Sequence, residues 1–237
     1  MKTLSFGHAS LVILLLISST FNSYAANAPW VEQSFKGGPC RGGNQGYGPF
    51  DYTIKHSLPT QNLRLVESAH FTYQVENLIK GNAGNLVSDL DYTLRAWPNH
   101  HRALNSISRY QLLFSNRKKT LSPVECYFHR AIRFSPNDAT TRMLFGIFLH
   151  KTKHYKMALE QYNKATELSP KNPIIRYNYG LLLFHLKKYQ QAQQQAVIAY
   201  GANFPLNGLK NKLKRVKFWP PRIPNTPRKN TKTAPSK

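Results

Sequence analysis

The chain has 237 residues and a formal net charge of +23, with 33 Lys and Arg residues against 10 Asp and Glu residues. This imbalance excludes an acidic or charge-balanced surface, whereas 41% hydrophobic and 12% aromatic residues suffice for a core and exclude a wholly disordered chain. Two cysteines are too few for a disulfide-dense miniature scaffold or a four-cysteine zinc site.

Residues 1–25 have the pattern of a secretory signal peptide. Lys2 supplies the basic start, an apolar run follows at residues 11–17, and residues 23–25 place small side chains where a signal peptidase reads them. The apolar run is shorter than the roughly 20 residues that span a bilayer, so we expect cleavage after Ala25 rather than a membrane anchor. The mature protein is therefore predicted to be periplasmic or extracellular and not membrane-spanning.

An irregular lead-in is predicted at residues 26–61, because Gly and Pro residues punctuate it. The Gly spacing fits neither a dinucleotide fingerprint nor a phosphate loop. Apolar residues then recur at helical intervals, which predicts a helical hairpin at residues 62–100 with Asn85 as the N-cap of its second helix. The hairpin is either a further repeat or an N-terminal cap.

A pair of helices is predicted within residues 101–138, joined by a basic loop at residues 116–123. Clear repetition follows. Four pairs of small or helix-breaking residues recur at an offset of 34 positions: Pro136 and Pro170, Gly146 and Gly180, Ala158 and Ala192, Ala165 and Ala199. A fixed period of this kind is typical of a solenoid of helix pairs. It predicts helices at residues 139–152 and 155–168 in the first unit and at 173–186 and 189–200 in the second.

The two units resemble the tetratricopeptide repeat, whose pattern is Trp-x-x-Leu-Gly-x-x-Tyr followed by Ala, an aromatic residue, a second Ala and Pro. The first unit, residues 139–172, supplies Phe145, Gly146, Leu149, Ala158, Tyr162, Ala165 and Pro170. The second, residues 173–206, supplies Tyr179, Gly180, Leu183, Ala192, Ala196 and Ala199, with Pro205 one place late. Both lack the opening Trp, which Arg142 and Arg176 replace, and the second has Ala196 where the aromatic stands. The resemblance implies an all-α, TPR-like solenoid of antiparallel helix pairs, in which residues 101–138 are a degenerate unit with about four extra residues.

The C-terminal end is basic. Residues 207–219 predict a capping helix with an apolar stripe at Leu209, Leu213 and Val216, because an open repeat stack needs a polar-backed end. Its cations form what we call the basic segment: Lys210, Lys212, Lys214, Arg215 and Lys217. Residues 220–237 are rich in Pro, Lys and Thr, and are predicted to be a disordered basic tail.

Few residues suggest chemistry. In an exported chain the oxidising compartment favours a disulfide between Cys40 and Cys126, the alternative being two unpaired thiols. Residues one or two positions apart on a helix point in different directions, so neither His100 with His101 nor Asp89 with Asp91 is expected to hold a metal. No catalytic pattern is found in the sequence. We predict no catalytic residue, no metal and no cofactor, hence no enzyme.

In the resembled family, the first helices of successive repeats line a concave groove that binds peptides or helices. The matching positions are Arg109, Leu112, Met143, Ile147, His150, Tyr177, Leu181, Phe184 and His185; the alternative for several of them is ordinary core between repeats. The resemblance therefore implies a scaffold that binds an envelope protein, and the basic surface would speed its encounter with an acidic partner. The competing hypothesis is a cationic protein that binds an anionic envelope polymer or lipid through its basic C-terminal segment. Because the protein is predicted to be exported, we do not expect nucleic acid to be its partner.

Overall fold

The computed structural model describes residues 28–114 and 120–219. Within them, the only β-type pairing is an isolated bridge between Gln33 and Pro39. The helices are, in chain order, a 3-10 helix (Tyr52–Ser57), α1 (Thr60–His70), α2 (Tyr73–Glu76), α3 (Leu86–Ala96), α4 (His101–Phe114), α5 (Val124–Phe134), α6 (Ala139–Lys151), α7 (Tyr155–Leu168), α8 (Pro173–His185), α9 (Tyr189–Gly201) and α10 (Gly208–Arg215). The predicted signal peptide, the predicted disordered tail and residues 116–119 of the predicted basic loop lie outside the described residues.

The helices stack as successive pairs: α1 with α3, α4 with α5, α6 with α7, and α8 with α9. The first helices α4, α6 and α8 also contact one another in order, and α10 continues that row by packing on α8 and α9. This arrangement confirms the all-α, TPR-like solenoid. In the two clear units the helix ends lie within one residue of the ends predicted from the spacing.

Small residues sit where the helices approach most closely. A Cβ atom added to Gly146 would lie 3.0 Å from the ring of Tyr162 on α7, and one added to Gly180 would lie 2.4 Å from Leu209 Cδ2 on α10. Side chains at these positions would push the helices apart, because protein interiors are already close-packed. The repeated glycines therefore set the spacing both within a pair and between the last pair and the cap.

The arginines that replace the family's tryptophan make a repeated set of hydrogen bonds. Each donates to a proline carbonyl before its helix and to a glutamine of the second helix, Arg142 to Pro136 and Gln161 and Arg176 to Pro170 and Gln195. All three positions recur at the offset of 34 residues. The departure from the family pattern is thus compensated in the same way in both units.

The irregular lead-in is fastened along α5. A disulfide joins Cys40 to Cys126, with Cα atoms 5.4 Å apart, and Trp30 packs edge-on against Tyr127. The lead-in also reaches the turn between α6 and α7, where the ring of Phe35 stacks on His154 with centroids 4.1 Å apart. These contacts are with a second helix and with a turn, so they leave the face formed by α6 and α8 uncovered.

Histidines and carboxylates join the hairpin to α4. The buried His100 is hydrogen-bonded through Nε2 to Glu67 at 3.0 Å, while its Nδ1 accepts from the backbone N–H of Ala103. Because Nδ1 is an acceptor, the Nε2 nitrogen carries the proton and donates it to the carboxylate. Arg102 forms a two-bond ion pair with Glu76 beside it.

Asp138 links the degenerate unit to the first clear repeat. One carboxylate oxygen caps α6 by accepting from the N–H groups of Thr140 and Thr141, and the other accepts from Asn99 at 3.1 Å and lies 2.8 Å from His101 Nε2. Asn172 caps α8 at the position 34 residues later. The helix caps therefore follow the same period as the glycines.

Candidate functional site

A cavity of about 370 Å³ opens on the face formed by α6 and α8. Four of the predicted groove residues line it together: Ile147, His150, Leu181 and His185. The other lining residues are Lys151, Lys153, Tyr155, Tyr162 and Asn178. The cavity thus has an apolar part from two aliphatic side chains and a polar end that carries imidazole and ammonium groups.

The polar end is a cluster of three rings. Tyr155 Oη and His185 Nε2 are hydrogen-bonded at 3.0 Å, and the His150 and His185 ring centroids are 5.2 Å apart. Burial lowers the pKa of His150, and the nearby His185 and Lys151 lower it further. His150 therefore stays neutral at neutral pH, and acidification would add positive charge at this end of the cavity.

Three other predicted groove residues do not line this cavity, and they pack against neighbouring core residues instead. Tyr177 is only 9% exposed and its ring packs on Phe204, with centroids 4.6 Å apart. Phe184 is half-buried against Tyr189, and Met143 is 8% exposed within the main core. The cause is that α10 and the chain before it cover the far side of α8, much as α8 covers α6.

The two groove residues predicted on α4 do not line the cavity. Arg109 lies against the hairpin, where its Nη1 is 3.5 Å from the carbonyl oxygen of Glu76. Leu112 is half-buried on the same helix. The described site is therefore confined to the two clear repeats.

The basic segment is partly engaged with aromatic rings. Leu209 and Leu213 are buried, Lys210 Nζ lies 5.6 Å from the ring centroid of Tyr200, and Lys212 Nζ lies 5.6 Å from that of Phe184. The remaining three cations, Lys214, Arg215 and Lys217, are exposed.

The chain after α10 folds back over α9. Gln193 Nε2 donates to the Phe218 carbonyl at 2.6 Å, and the rings of Tyr200 and Trp219 lie 5.5 Å apart. These two terminal aromatic residues therefore help to close the stack.

The two residue pairs considered as metal ligands in the sequence each bind different partners in the structure. His100 and His101 bind two different carboxylates, and Asp89 accepts from the backbone N–H groups of the turn before α3 while Asp91 pairs with Arg95. Over residues 28–114 and 120–219 there is no group of three or more His, Cys, Asp and Glu side chains placed to hold a metal ion. In that same part of the chain, no helix has both the length and the apolarity to cross a bilayer.

Sequence reasoning missed five residues that line the cavity. Lys151 and Lys153 belong to the end of α6 and its turn, Tyr155 and Tyr162 lie on the second helix α7, and Asn178 lies on α8. Their position in the repeat could have identified several of them, because the residues at the end of a first helix and the start of the following helix lie at the open edge of the groove. Considering first helices alone therefore left out Tyr155 and Tyr162 of α7 and the turn residue Lys153.

Comparison with known families agrees with this geometry. The family model described as the TPR repeat matches residues 148–187, which run from within α6 through α7 and α8. The matched stretch contains all of α7 and α8 but only the last turn of α6, so it includes Leu181 and not Ile147. Among curated proteins, no match to the chain is found.

Proposed function

We propose that this tetratricopeptide-repeat protein is a non-enzymatic adapter of the bacterial envelope, which holds a segment of a partner protein in the cavity between α6 and α8. The observation that carries the proposal is that this cavity is open and mostly apolar, and that the contacts of the lead-in lie elsewhere. TPR repeats support protein–protein interaction in general. Partner segments in such interfaces are held by a few buried side chains within a polar rim.

The cavity lining indicates the chemistry of the partner segment. Ile147 and Leu181 offer an apolar surface that suits an aliphatic or aromatic side chain. Lys151 and Lys153 stand beside it, and charge complementarity favours an acidic residue next to that anchor. An acidic segment with one apolar anchor is therefore the partner that fits best.

The envelope location rests on two features. The first 25 residues have the signal pattern described above, and the two cysteines are paired in a disulfide. Disulfides persist in the oxidising compartments outside the cytosol. Fractionation of cells that express the full chain, followed by N-terminal sequencing of the mature protein, tests both export and cleavage after Ala25.

Site-specific photo-cross-linking tests the groove. A photoreactive amino acid at Asn178, inside the cavity, should cross-link a discrete partner in intact cells. The same amino acid at Val197, which is 43% exposed on α9, serves as the control. A partner that is captured equally from both positions would contradict the groove assignment.

The affinity for the captured partner then tests the apolar floor. The double variant Ile147→Ala/Leu181→Ala should weaken binding by about tenfold or more, since truncating buried interface anchors costs about 1 kcal/mol or more each. The matched control is Val197→Ala/Ile198→Ala, two exposed aliphatic residues on α9. Unchanged affinity in a folded cavity variant would refute the proposed function.

A further inference from the structure

A second surface lies along one edge of the repeat stack, where lysines occupy equivalent turns. Lys153, Lys187 and Lys217 follow the first helices α6, α8 and α10, and each has a left-handed backbone, with φ of 66°, 60° and 62°. Lys188 adjoins the second of them. We call the exposed residues Lys153, Lys187, Lys188 and Lys217 the lysine edge.

Side-chain contacts place these turns next to one another. The hydrogen bond between Tyr155 and His185 joins the turn after α6 to the end of α8. The rings of Tyr189 and Phe218, 5.5 Å apart, join the turn after α8 to the turn after α10. The lysine edge is therefore one continuous row that advances with the solenoid.

The row has no compensating acid. The sequence contains no Asp or Glu after Glu167, and the nearest acids of the repeats, Glu160 and Glu167, are both on α7. Among the ion pairs of the described residues, none involves a residue of the lysine edge. A row of like charges raises the local potential and attracts a ligand of opposite sign.

The surroundings of the row suit a polymer better than a bilayer. A shallow cavity of about 450 Å³ lies along it, lined by Lys187, Lys188, Tyr189, Gln190, Gln191 and Phe218. The large apolar side chains that are exposed in the described part of the chain, such as Val197 and Leu206, belong to other surfaces. Ammonium and amide donors beside half-buried rings match a chain of oxyanions, whereas the described residues of this edge include no exposed large aliphatic side chain that would insert into lipid.

We propose that the lysine edge binds a linear polyanion, a polymer with closely spaced phosphate or carboxylate groups. The ammonium groups replace the counterions of the polymer, so binding weakens as salt rises. This surface is separate from the apolar floor of the groove, and the proposal does not depend on the groove having a protein partner. It also differs from binding through the basic C-terminal segment, because two of its three turns lie within the repeats.

Paired charge-removal variants of the full mature chain test the proposal. The edge variant is Lys187→Gln/Lys188→Gln/Lys217→Gln; Lys153 is kept, because it also lines the groove cavity. The control is Lys80→Gln/Lys164→Gln/Lys171→Gln, which removes the same charge from exposed residues elsewhere. Fluorescence anisotropy with labelled long-chain polyphosphate, and separately with labelled polygalacturonate, gives the Kd as a function of salt.

For at least one polymer, the edge variant should raise the Kd by about tenfold or more at low salt, with the slope of log Kd against log salt reduced by about two. The control should stay within about threefold of wild type. A preference between polymers distinguishes phosphate from carboxylate as the source of the oxyanions. Equal weakening in both variants, no binding by the wild type, or binding to phosphatidylglycerol vesicles without binding to either polymer would each overturn the proposal.

Discussion

The N-terminal part of the molecule (residues 28–138) and its two clear repeats (residues 139–206) are held together by different means. Every ion pair of the described residues except Lys164–Glu167 lies in the N-terminal part, as does the disulfide. The repeats instead rely on periodic small residues and stacked rings, such as Tyr162 on Tyr179 with centroids 5.4 Å apart. The N-terminal part is stabilised by contacts between residues that are far apart in sequence. The repeats are stabilised by residues that recur at a fixed spacing.

Arg130 shows what the first arrangement achieves. The side chain is 2% exposed, and its guanidinium donates to the carbonyls of Ala28 and Leu94 and to Gln45 Oε1, at 2.6 to 2.7 Å. Burial lowers its pKa to about 10. A buried cation is tolerated only when its donors are satisfied, so one residue of α5 fixes the path of an otherwise irregular segment. Polar contacts between distant residues thus stabilise the part of the molecule that lacks the repeat pattern.

Of the changes considered, removing the disulfide should lower the stability of the N-terminal part most. The bridge closes a loop with a sequence separation of 86. The double variant Cys40→Ser/Cys126→Ser should lose about 4 kcal/mol of unfolding free energy, because the denatured chain regains the freedom of that loop. Urea denaturation measures the loss. Hydrogen exchange should show it mainly in the lead-in and α5, since each unit of a solenoid interacts chiefly with its neighbours.

Reducing agent supplies the control for that variant. It should lower the stability of the wild type to a similar extent and leave the double variant unchanged. Equal loss of protection in α8 and α9 would show that the N-terminal part and the repeats unfold as a single unit and are not separately stabilised.

Acid should have a smaller effect that begins in the same N-terminal part. Burial lowers the pKa of His100 from its usual 6.5, despite the opposing hydrogen bond to Glu67. Below about pH 6.5 His100 therefore binds a proton in the unfolded chain but not in the folded chain, so the unfolding free energy falls as the pH falls. The hydrogen bond from Arg102 also lowers the pKa of Glu76, so a further loss follows as that carboxylate is protonated.

The variant His100→Gln isolates the first of these losses. Its unfolding free energy, measured by urea denaturation, should fall less than that of the wild type between about pH 7.5 and pH 5.5. His129 and His150 also have lowered pKa values, so part of the pH dependence should remain. The exposed His56→Gln is the control. Identical pH profiles for the wild type and His100→Gln would refute this assignment.

The fold was predictable where contacts are local and periodic. The offset of 34 residues predicted the helices of both units, and the apolar stripe predicted that Leu209 and Leu213 are buried in a closing helix. The network around Asp138 and Arg130 was not predictable, because its partners are separated by 36 to 102 residues and follow no period. Long-range polar contacts depend on the three-dimensional course of the chain, which cannot be read from the spacing of residues in the sequence.

The candidate site was predictable only in part, for a related reason. Helical position identifies the residues that face a groove, and Ile147 and Leu181 do line the same cavity. It cannot tell whether a later element covers the same face, which is why Tyr177 is buried and Phe184 is half-buried. The lysine edge depends on the left-handed turns at Lys153, Lys187 and Lys217, a backbone feature that spacing alone does not reveal.

The smallest effect is expected from a pair of identical glycine substitutions. In Gly146→Ala the new methyl group would lie 3.0 Å from the Tyr162 ring, which cannot move away because it is buried and stacked on Tyr179. Overpacking costs about 1–3 kcal/mol and exceeds the gain in helix propensity of about 1 kcal/mol, so thermal and urea denaturation should show a net loss of about 1 kcal/mol. Gly201 ends α9 with nothing within 4 Å of an added Cβ, so Gly201→Ala should gain about 0.5 kcal/mol from propensity alone. A loss of stability in Gly146→Ala together with a gain in Gly201→Ala would show that the close approach of the helices requires the repeated glycine. A gain in stability at both positions would show that the glycine is not needed for helix packing.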